Sequence, residues 1–369
     1  MKPAASAEAR IKQLCCLGLG GEATIPALLA ELHALIPSYA NCFSWSDAQG
    51  RMSKMFVENI DEFLLVASAY HEVLHNRREE EVIISFGEAM RGGKIVLTFD
   101  EMLKVDRRTY YRHDYYNLVC RALNFHWSIN VVASEHGVPM GGLSLHRAKD
   151  DPEFKAEDTH LLTRLMPFLT HALAAVPASE IPLVDSGDEG FVIADLKGTI
   201  CHLSAEARRL LILATQPTIG PRIPSAGLGL PAPVTELCRR LAAVFNGREA
   251  SAPPTYHHRN CLGGFTFRAY VLNRDGLAET APEPAPLVGI HIRHQEPQTL
   301  RIVRRLGEMP GLSQRQMQIG LLLATGAHNA AIASQMNVSS HTVVTHTRRL
   351  YEKLAVHNRS ELVAKLTGV

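Results

Sequence analysis

Two stretches of this chain concentrate side chains that could do chemistry. The first spans residues 339–354. It sets Arg348 beside Arg349 and surrounds them with Ser340, Thr342, Thr345 and Lys353, with Arg359 a little further on. Guanidinium groups neutralise phosphate or read guanine, and short hydroxyls bond phosphate or touch a base edge. These residue types point to non-covalent recognition of a nucleic acid. The second stretch, residues 107–116, mixes Arg107, Arg108 and Arg112 with Tyr110, Tyr111, Tyr115 and Tyr116. Those arginines could receive a carboxylate of a small effector. Alternatively, the run is a half-buried helix face whose guanidiniums snorkel to water. His113 and Asp114 stand side by side, but no G-x-S-x-G, H-E-x-x-H or P-loop pattern accompanies them. No enzymatic activity is expected. The seven cysteines show no C-x-x-C and no metal spacing, and are expected to be small buried apolar residues.

The first stretch needs a helix to present it. Val343, Thr347, Leu350 and Leu354 recur at offsets of four, three and four, the signature of a buried stripe. Val344, Thr345, Arg348, Arg349 and Glu352 fall on the opposite face. Upstream, Ser313 and Gln316 have the spacing of a capping box, which predicts a first helix with Met317, Leu321 and Leu322 as its apolar side and Gly326 past its end. Asn329 is expected to cap a second helix carrying Ile332 and Met336. Asn337 then breaks the chain, and Ser339 or Ser340 caps the long helix. Asn358 is expected to cap a last one, with Leu362, Val363 and Leu366 facing inward.

With those elements in place, the end of the chain resembles the LuxR-type (NarL/FixJ-like) four-helix DNA-binding domain. The residues that carry the likeness are Leu312, Ser313, Arg315, Ile332, Ala333, Ser339, Thr342, Val343, His346, Lys353, Leu354, Val356, Arg359, Glu361, Leu362 and Val363. The chain departs from the family pattern at Gln316 and Gln318, where Glu is usual, at Ala330 and Ala331, where Lys-Glu is usual, and at Val344, often Lys. The apolar Val344 suits a thymine methyl group. The resemblance implies a helix lying in the major groove of double-stranded DNA. On that reading Val344, Thr345 and Arg348 meet base edges, and Ser340, Thr342, Arg349, Lys353 and Arg359 meet phosphates. Charge points the same way: residues 293–369 hold ten Lys and Arg against four Asp and Glu, a surplus of six in a chain of net +1.

Upstream, apolar residues between Ile11 and Cys15 and between Ile25 and Ile36 recur at helical spacing, with Pro26 expected in a first turn after Thr24. Residues 42–45 and 52–57 read as two strands about a turn at 47–50. Residues 60–74 are expected to be helical, 77–81 a solvated helix end or loop, and 99–103 and 110–123 helical. Residues 127–133 and 140–146 alternate as a hairpin, and 152–175 form a closing amphipathic helix. This order is similar to a GAF-type sensory fold. Residues 137–147 with Asp151, Pro152, Phe154, Glu157, Asp158, Leu161 and Leu162 carry the likeness. It implies a small-molecule pocket between the sheet and the inserted helices, with Phe43, Trp45, Tyr70, Tyr110, Tyr111, Arg112, Tyr115 and Trp127 as candidate wall residues.

Residues 172–189, rich in Ala, Pro, Ser and acids, read as a linker or domain edge. Strands at 191–194 and 199–203 and a helix capped by Ser204 follow. They are similar to the start of a PAS domain, in register at Asp195, Gly198, Ile200, Ala207, Leu210 and Leu211. A Pro/Gly tract at 216–233, a helix at 234–245, and strands at 265–272 and 287–293 around a loop at 278–286 complete this region. A PAS-like fold raises haem or flavin, with His202, His257, His258, His291 and His294 as axial candidates. Dimerisation or signal relay is the more economical role, and no cofactor is expected. Residues 298–308 are expected to form a joining helix.

The whole chain bounds these readings. Its 369 residues allow two to three domains, and 46% apolar with 20% charged residues is ordinary globular composition. No stretch approaches the ~18–20 apolar residues a bilayer span needs, so a cytoplasmic location is expected. The expected fold class is multidomain α+β, GAF/PAS-like antiparallel sheets with helices, plus a C-terminal all-α helix-turn-helix domain. The expected boundaries are 1–178, 179–298, 299–311 and 312–369. The expected function is a small-molecule-responsive transcription regulator binding an inverted repeat as a homodimer, with RNA polymerase as a candidate second partner. The competing reading is a ligand-sensing adaptor that works through protein contacts.

Overall fold

The computed structural model describes residues 3–70, 78–177, 181–220, 232–246, 252–272 and 286–368. The chain divides into two compact units, residues 1–179 with 218–227 and 307–320, and residues 180–217 with 228–306 and 321–369.

The first unit is built on a five-stranded antiparallel sheet. Its strands are β1 (Ala40–Ser46), β2 (Met52–Val57), β3 (Val96–Leu97), β4 (Trp127–Glu135) and β5 (Val138–Arg147), in the order β2-β1-β5-β4-β3. Strand alternation sorts their side chains onto two faces. Phe43, Ile129, Val131, Leu143 and Leu145 point to one face, where α1 (Pro3–Cys15), α2 (Gly21–Leu35) and α7 (Ala156–Ala174) cover them in a closed apolar core. The other face carries Cys42, Ser44, Asn130, Ser144 and His146. Over it lie α3 (Ile60–Ala69), a 3₁₀ turn Arg78–Glu81, α4 (Phe86–Arg91), α5 (Phe99–Met102), α6 (Arg107–Arg112) and a π-helical turn Tyr116–Cys120.

Three local expectations change here. The α2 helix starts at Gly21, so Pro26 lies inside it and not in a first turn after Thr24. The helix tolerates the missing hydrogen bond because Leu28, Leu29 and Leu32 are buried behind it. The acidic run is not simply solvated: Glu79 is 5% exposed. The span expected to be one helix at 110–123 is broken at His113, whose backbone is extended. Residues 71–77, part of the helix expected at 60–74, lie outside the described residues.

The second unit repeats the same strand plan. Its strands β6 (Leu183–Asp195), β7 (Ile200–Leu203), β8 (Thr255–Asn260), β9 (Gly263–Leu272) and β10 (Leu287–Pro297) run in the order β7-β6-β10-β9-β8, again all antiparallel. In both sheets the order is second, first, fifth, fourth, third. Val192, Phe265, Phe267, Val288, Ile290 and Ile292 form the sheet side of a core. Leu210 and Leu211 of α8 (Ala205–Thr215) and Val234 and Leu237 of α9 (Ala232–Phe245) close it. Ser204 caps α8 through the Ala207 amide. Gly190 lets α8 approach: a Cβ there would lie 2.4 Å from Ala207 Cα.

The end of the stretch read as a linker, residues 183–189, is strand: it pairs with β10 from Leu183↔Pro297 to Glu189↔Arg293, with Asp185 and Glu189 exposed and Asp188 half-buried. Arg293 binds two of those acids, Asp185 at 2.5 Å and Glu189 at 3.1 Å. The strand β8 was not expected, since its sequence is almost wholly polar. Residues 221–231 of the Pro/Gly tract and 273–285 of the later loop lie outside the described residues, as do 178–180.

After β10 the chain enters α10 (Gln298–Glu308), which buries Ile302, Val303 and Leu306. Four helices follow: α11 (Gln314–Ala324), α12 (Asn329–Gln335), α13 (Ser340–Leu354) and α14 (Arg359–Thr367). Ser313 and Gln316 form the expected capping box. Met317 is buried on α11 as expected, together with Gln316, Ile319 and Leu323, while Leu321 and Leu322 are only half-buried. His328, not Asn329, is the N-cap of α12, and its side chain makes no capping bond.

Candidate functional site

The turn between α12 and α13 sets the pose of the long helix. Asn337 takes a left-handed backbone (φ 51°), and the Val338 amide donates to the Ala333 carbonyl at 3.0 Å. Ser339 then caps α13 by accepting from the Thr342 amide at 3.1 Å, and its hydroxyl lies 2.8 Å from that of Thr342. At the other end Ala355 is left-handed (φ 48°), and the Val356 amide returns to the Tyr351 carbonyl at 3.0 Å. This is the Schellman closure, made here without glycine.

Between those caps, Val343, Leu350 and Leu354 are buried and Thr347 is half-buried. The opposite face is open. Val344 is 50% exposed, Arg349 and Lys353 are exposed, and the Arg348 side chain is 82% exposed. Arg348 Nε donates to Glu352 at 3.1 Å. An exposed pair at this spacing contributes only about 0.3–0.5 kcal/mol, so a phosphate or a guanine displaces it at small cost. The Thr345 hydroxyl donates to the His341 carbonyl at 3.0 Å, which leaves its methyl group and lone pairs for a ligand. Ser340 is exposed in the first turn. The helix therefore gathers Ser340, Val344, Arg348, Arg349 and Lys353 on accessible surface, with Thr342 and Thr345 half-buried beside them.

Arg359 is half-buried, and its guanidinium donates to the Leu323 carbonyl at the end of α11, so it ties two helices. Lys365 does the same for α13, donating to the Leu354 carbonyl at 2.5 Å. The formal surplus of six overstates the positive field by the one arginine that pairs with acids from outside the stretch. Arg293 pairs with Asp185 and Glu189, acids outside the counted stretch, while the Glu296 that faces Arg301 and Arg304 is already among the four acids counted.

The second candidate site is a cavity of about 170 Å³ in the first unit, between the polar face of the sheet and the helices over it. Of the eight expected wall residues, Tyr70, Tyr110 and Tyr115 line it. Phe43 and Trp45 do not; they sit on the far face of β1, edge to face at 4.9 Å, packed into the core under α2 and α7. The expectation chose the aromatic parity of β1, but the apolar parity faces the closed core and the polar parity faces the cavity. Tyr111 lies in a separate surface hollow and stacks on His126 at 4.6 Å. Trp127 packs against Phe99 at 5.6 Å under the Arg107 guanidinium. Arg112 is exposed. The expected carboxylate clamp does not form: Arg107 pairs with Asp100 at 2.6 Å and with Glu153 at 2.5 Å, and none of Arg107, Arg108 and Arg112 lines the cavity.

The residues that the expectation missed are polar. Cys42, Ser144 and Asn130 stand in one row across three strands, since Cys42 pairs with Ser144 and Ser144 with Asn130. His146 stacks on Phe125 at 3.9 Å, and its Nδ1 lies 2.8 Å from the Ser128 hydroxyl. Burial holds its imidazole neutral, with a pKa pushed down to about 3. Glu79 shares a hydrogen bond with Tyr70, and burial first, then the Glu79 charge, drives the Tyr70 phenol well above 10. The Asn130 Oδ1 is buried and accepts no hydrogen bond.

Three of the five histidines raised for haem have side-chain or backbone partners. His294 is buried on β10, with Nε2 3.2 Å from the Leu262 carbonyl and Nδ1 3.5 Å from Asp188. His291 faces Glu189 at 3.2 Å and His257 faces Thr266 at 3.1 Å. Among the described residues no group of three His, Cys, Asp or Glu is placed to hold a metal, and no helix is long and apolar enough to cross a membrane. Cys15, Cys120 and Cys238 are buried as expected of small apolar residues, while Cys16 and Cys201 are exposed.

The helix-turn-helix geometry and its sequence meet in one class. Residues 310–366 match the family described as bacterial regulatory proteins, luxR family, and the C-terminal segment is a helix-turn-helix domain of that type. Within it, the HTH-type transcriptional regulator MalT of Vibrio cholerae is 42% identical over 52 residues, and MalT of Vibrio parahaemolyticus is 40% identical over the same length. Each match covers 14% of this chain and 6% of the relative, so the chain spans only a small part of the length of the curated relatives it matches. Among solved structures, Escherichia coli SdiA shows 12% identity over 89% of this chain and 82% of its own, with a TM-score of 0.22. A phage VqmA–DPO complex shows 16% identity over 50% of this chain and 85% of its own, with a TM-score of 0.15.

Proposed function

We propose that this chain is a DNA-binding transcription regulator that responds to a small molecule and binds an inverted repeat as a homodimer. The observation that carries the reading is α13: a capped helix, anchored by Val343, Leu350 and Leu354, that offers Val344, Arg348 and Arg349 to solvent. Such a helix fits a major groove, with phosphate contacts giving affinity and base-edge contacts giving sequence preference. In this reading Val344, Thr345 and Arg348 take base edges, and Ser340, Thr342, Arg349 and Lys353 take phosphates. The first sheet, with helices inserted over a cavity on its polar face, serves as a GAF-like effector domain, and the second as a PAS-like relay. An effector favours one arrangement of the sensory part, and α10 transmits it to the recognition helices.

Fluorescence anisotropy of the purified full chain on fragments of its neighbouring promoters tests this. A duplex bound at least a hundredfold more tightly than random DNA of equal length, with a steep salt dependence, is the expected result. If no duplex competes against heparin, the adaptor reading takes its place.

A further inference from the structure

We infer that the open face of the second sheet is the surface on which two copies of this chain meet. This deepens the homodimer reading and rests on it. In the second unit α8 and α9 close one face of the sheet, over Val192, Phe267 and Ile290. An antiparallel sheet whose other face is wet normally turns polar residues outward. Here that rule fails toward one end. On β10, Gly289 pairs with Ile193 and Tyr270, and His291 pairs with Phe191 and Arg268. Directly paired residues share a face, so these six stand together on the outward side. Phe191 is 39% exposed and Tyr270 51% exposed, two large rings where alternation calls for polar side chains. Gly289 keeps the centre of the patch low: a Cβ there would lie 2.8 Å from Phe191 Cζ and 3.1 Å from Leu272 Cδ2.

Area and charge both suit a second copy as the occupant. Five strands about 4.8 Å apart and about six residues long span roughly 24 by 20 Å, so two such faces together bury about 1,000 Å², enough for a specific dimer. The signs are divided about the central strand. Glu189 lies exposed on β6, to one side of β10, and Arg268 lies exposed on β9, to the other. A twofold axis along β10 lays β6 of one copy over β9 of the second, and repeats each contact twice. Phe191 then meets Arg268 of the second copy, an attraction of ring face for guanidinium. Ile193 meets Tyr270 of the second copy, and the two Gly289 residues face each other at the axis. A face with opposite signs on its two sides complements itself, whereas a duplex would call for one sign.

Sedimentation equilibrium of the full-length protein tests this. The unaltered chain is expected to be a dimer at micromolar concentration. Phe191→Glu and Tyr270→Glu are each expected to weaken the dimer at least a hundredfold, and Arg268→Glu at least tenfold. Val244→Glu, at a residue 52% exposed on α9 and so away from this face, is expected to leave the dimer intact. Hydroxyl-radical footprinting of the unaltered protein decides the matter even if a variant does not fold: Phe191 and Tyr270 are expected to be labelled in dilute monomer and protected in concentrated dimer. An unaltered chain that stays monomeric overturns the inference and the homodimer reading together. A dimer that persists in both Glu variants, a dimer lost equally in Val244→Glu, or equal labelling of Phe191 and Tyr270 in both states overturns the inference alone and leaves the homodimer reading standing.

Discussion

The two adjacent arginines of α13 are expected to differ in role, although both are exposed. Arg348 stands four residues before Glu352 and one turn beyond Val344, over the centre of the open face. Arg348→Ala is expected to relax sequence preference, narrowing the gap between specific and random duplex by about 1–3 kcal/mol. Arg349→Ala is expected to weaken binding evenly across sequences and to reduce the slope of log K against log salt by about one unit. Anisotropy titrations at several salt concentrations read both, and equal losses on specific and random DNA for both variants would contradict the assignment. A second residue-scale prediction concerns His146. Its folded pKa lies near 3, below the ordinary imidazole value, because burial opposes the charged form. Below about pH 6.5 the unfolded chain therefore binds a proton that the folded chain refuses. Stability should fall as pH drops from about 6.5 toward 3, by up to about 1.4 kcal/mol per unit from this group. Urea melts of the protein and of His146→Gln at pH 7 and pH 4.5 check it: the variant should lose less stability over that interval.

At the scale of elements, the caps decide how firmly the recognition helix is held. Ser339→Ala removes the bond to the Thr342 amide and should cost about 1 kcal/mol of stability in chemical denaturation. Arg359→Ala should also destabilise, because it strips a donor from the end of α11, yet it should leave the salt slope of DNA binding unchanged. A slope lowered by one unit would return Arg359 to the phosphates. Elements were mostly legible in the sequence. Short polar caps such as Ser204, Ser313, Ser339 and Asn358 act over three residues, so local spacing reveals them. Strand existence was legible from alternation, but not which parity faced the cavity. That depends on which helices cover each side, and Phe43 and Trp45 were assigned to the wrong one for this reason. The Arg359 contact was illegible because its acceptor is a backbone carbonyl 36 residues away, which leaves no trace in composition. Strand β8 was hidden because polar residues suit an edge that faces water on one side.

For the molecule as a whole, the proposed dimer makes a geometric demand. Two recognition helices reading an inverted repeat sit about one helical turn of DNA apart, roughly 34 Å. Inserting about half a turn, five base pairs, between half-sites of a selected operator should cut affinity at least tenfold, and inserting a full turn should restore part of it. Gel shifts on the three duplexes check this; indifference to spacing would argue for independent monomers. The strand order drawn twice in this chain has its own consequence. One copy of the plan leaves a hollow over the polar face of its sheet, and the other buries Phe265 and Phe267 in its core. If the proposed effector reading holds, substitutions that reshape the hollow should retune the response one wall residue at a time and leave the core around Phe265 and Phe267 unaltered.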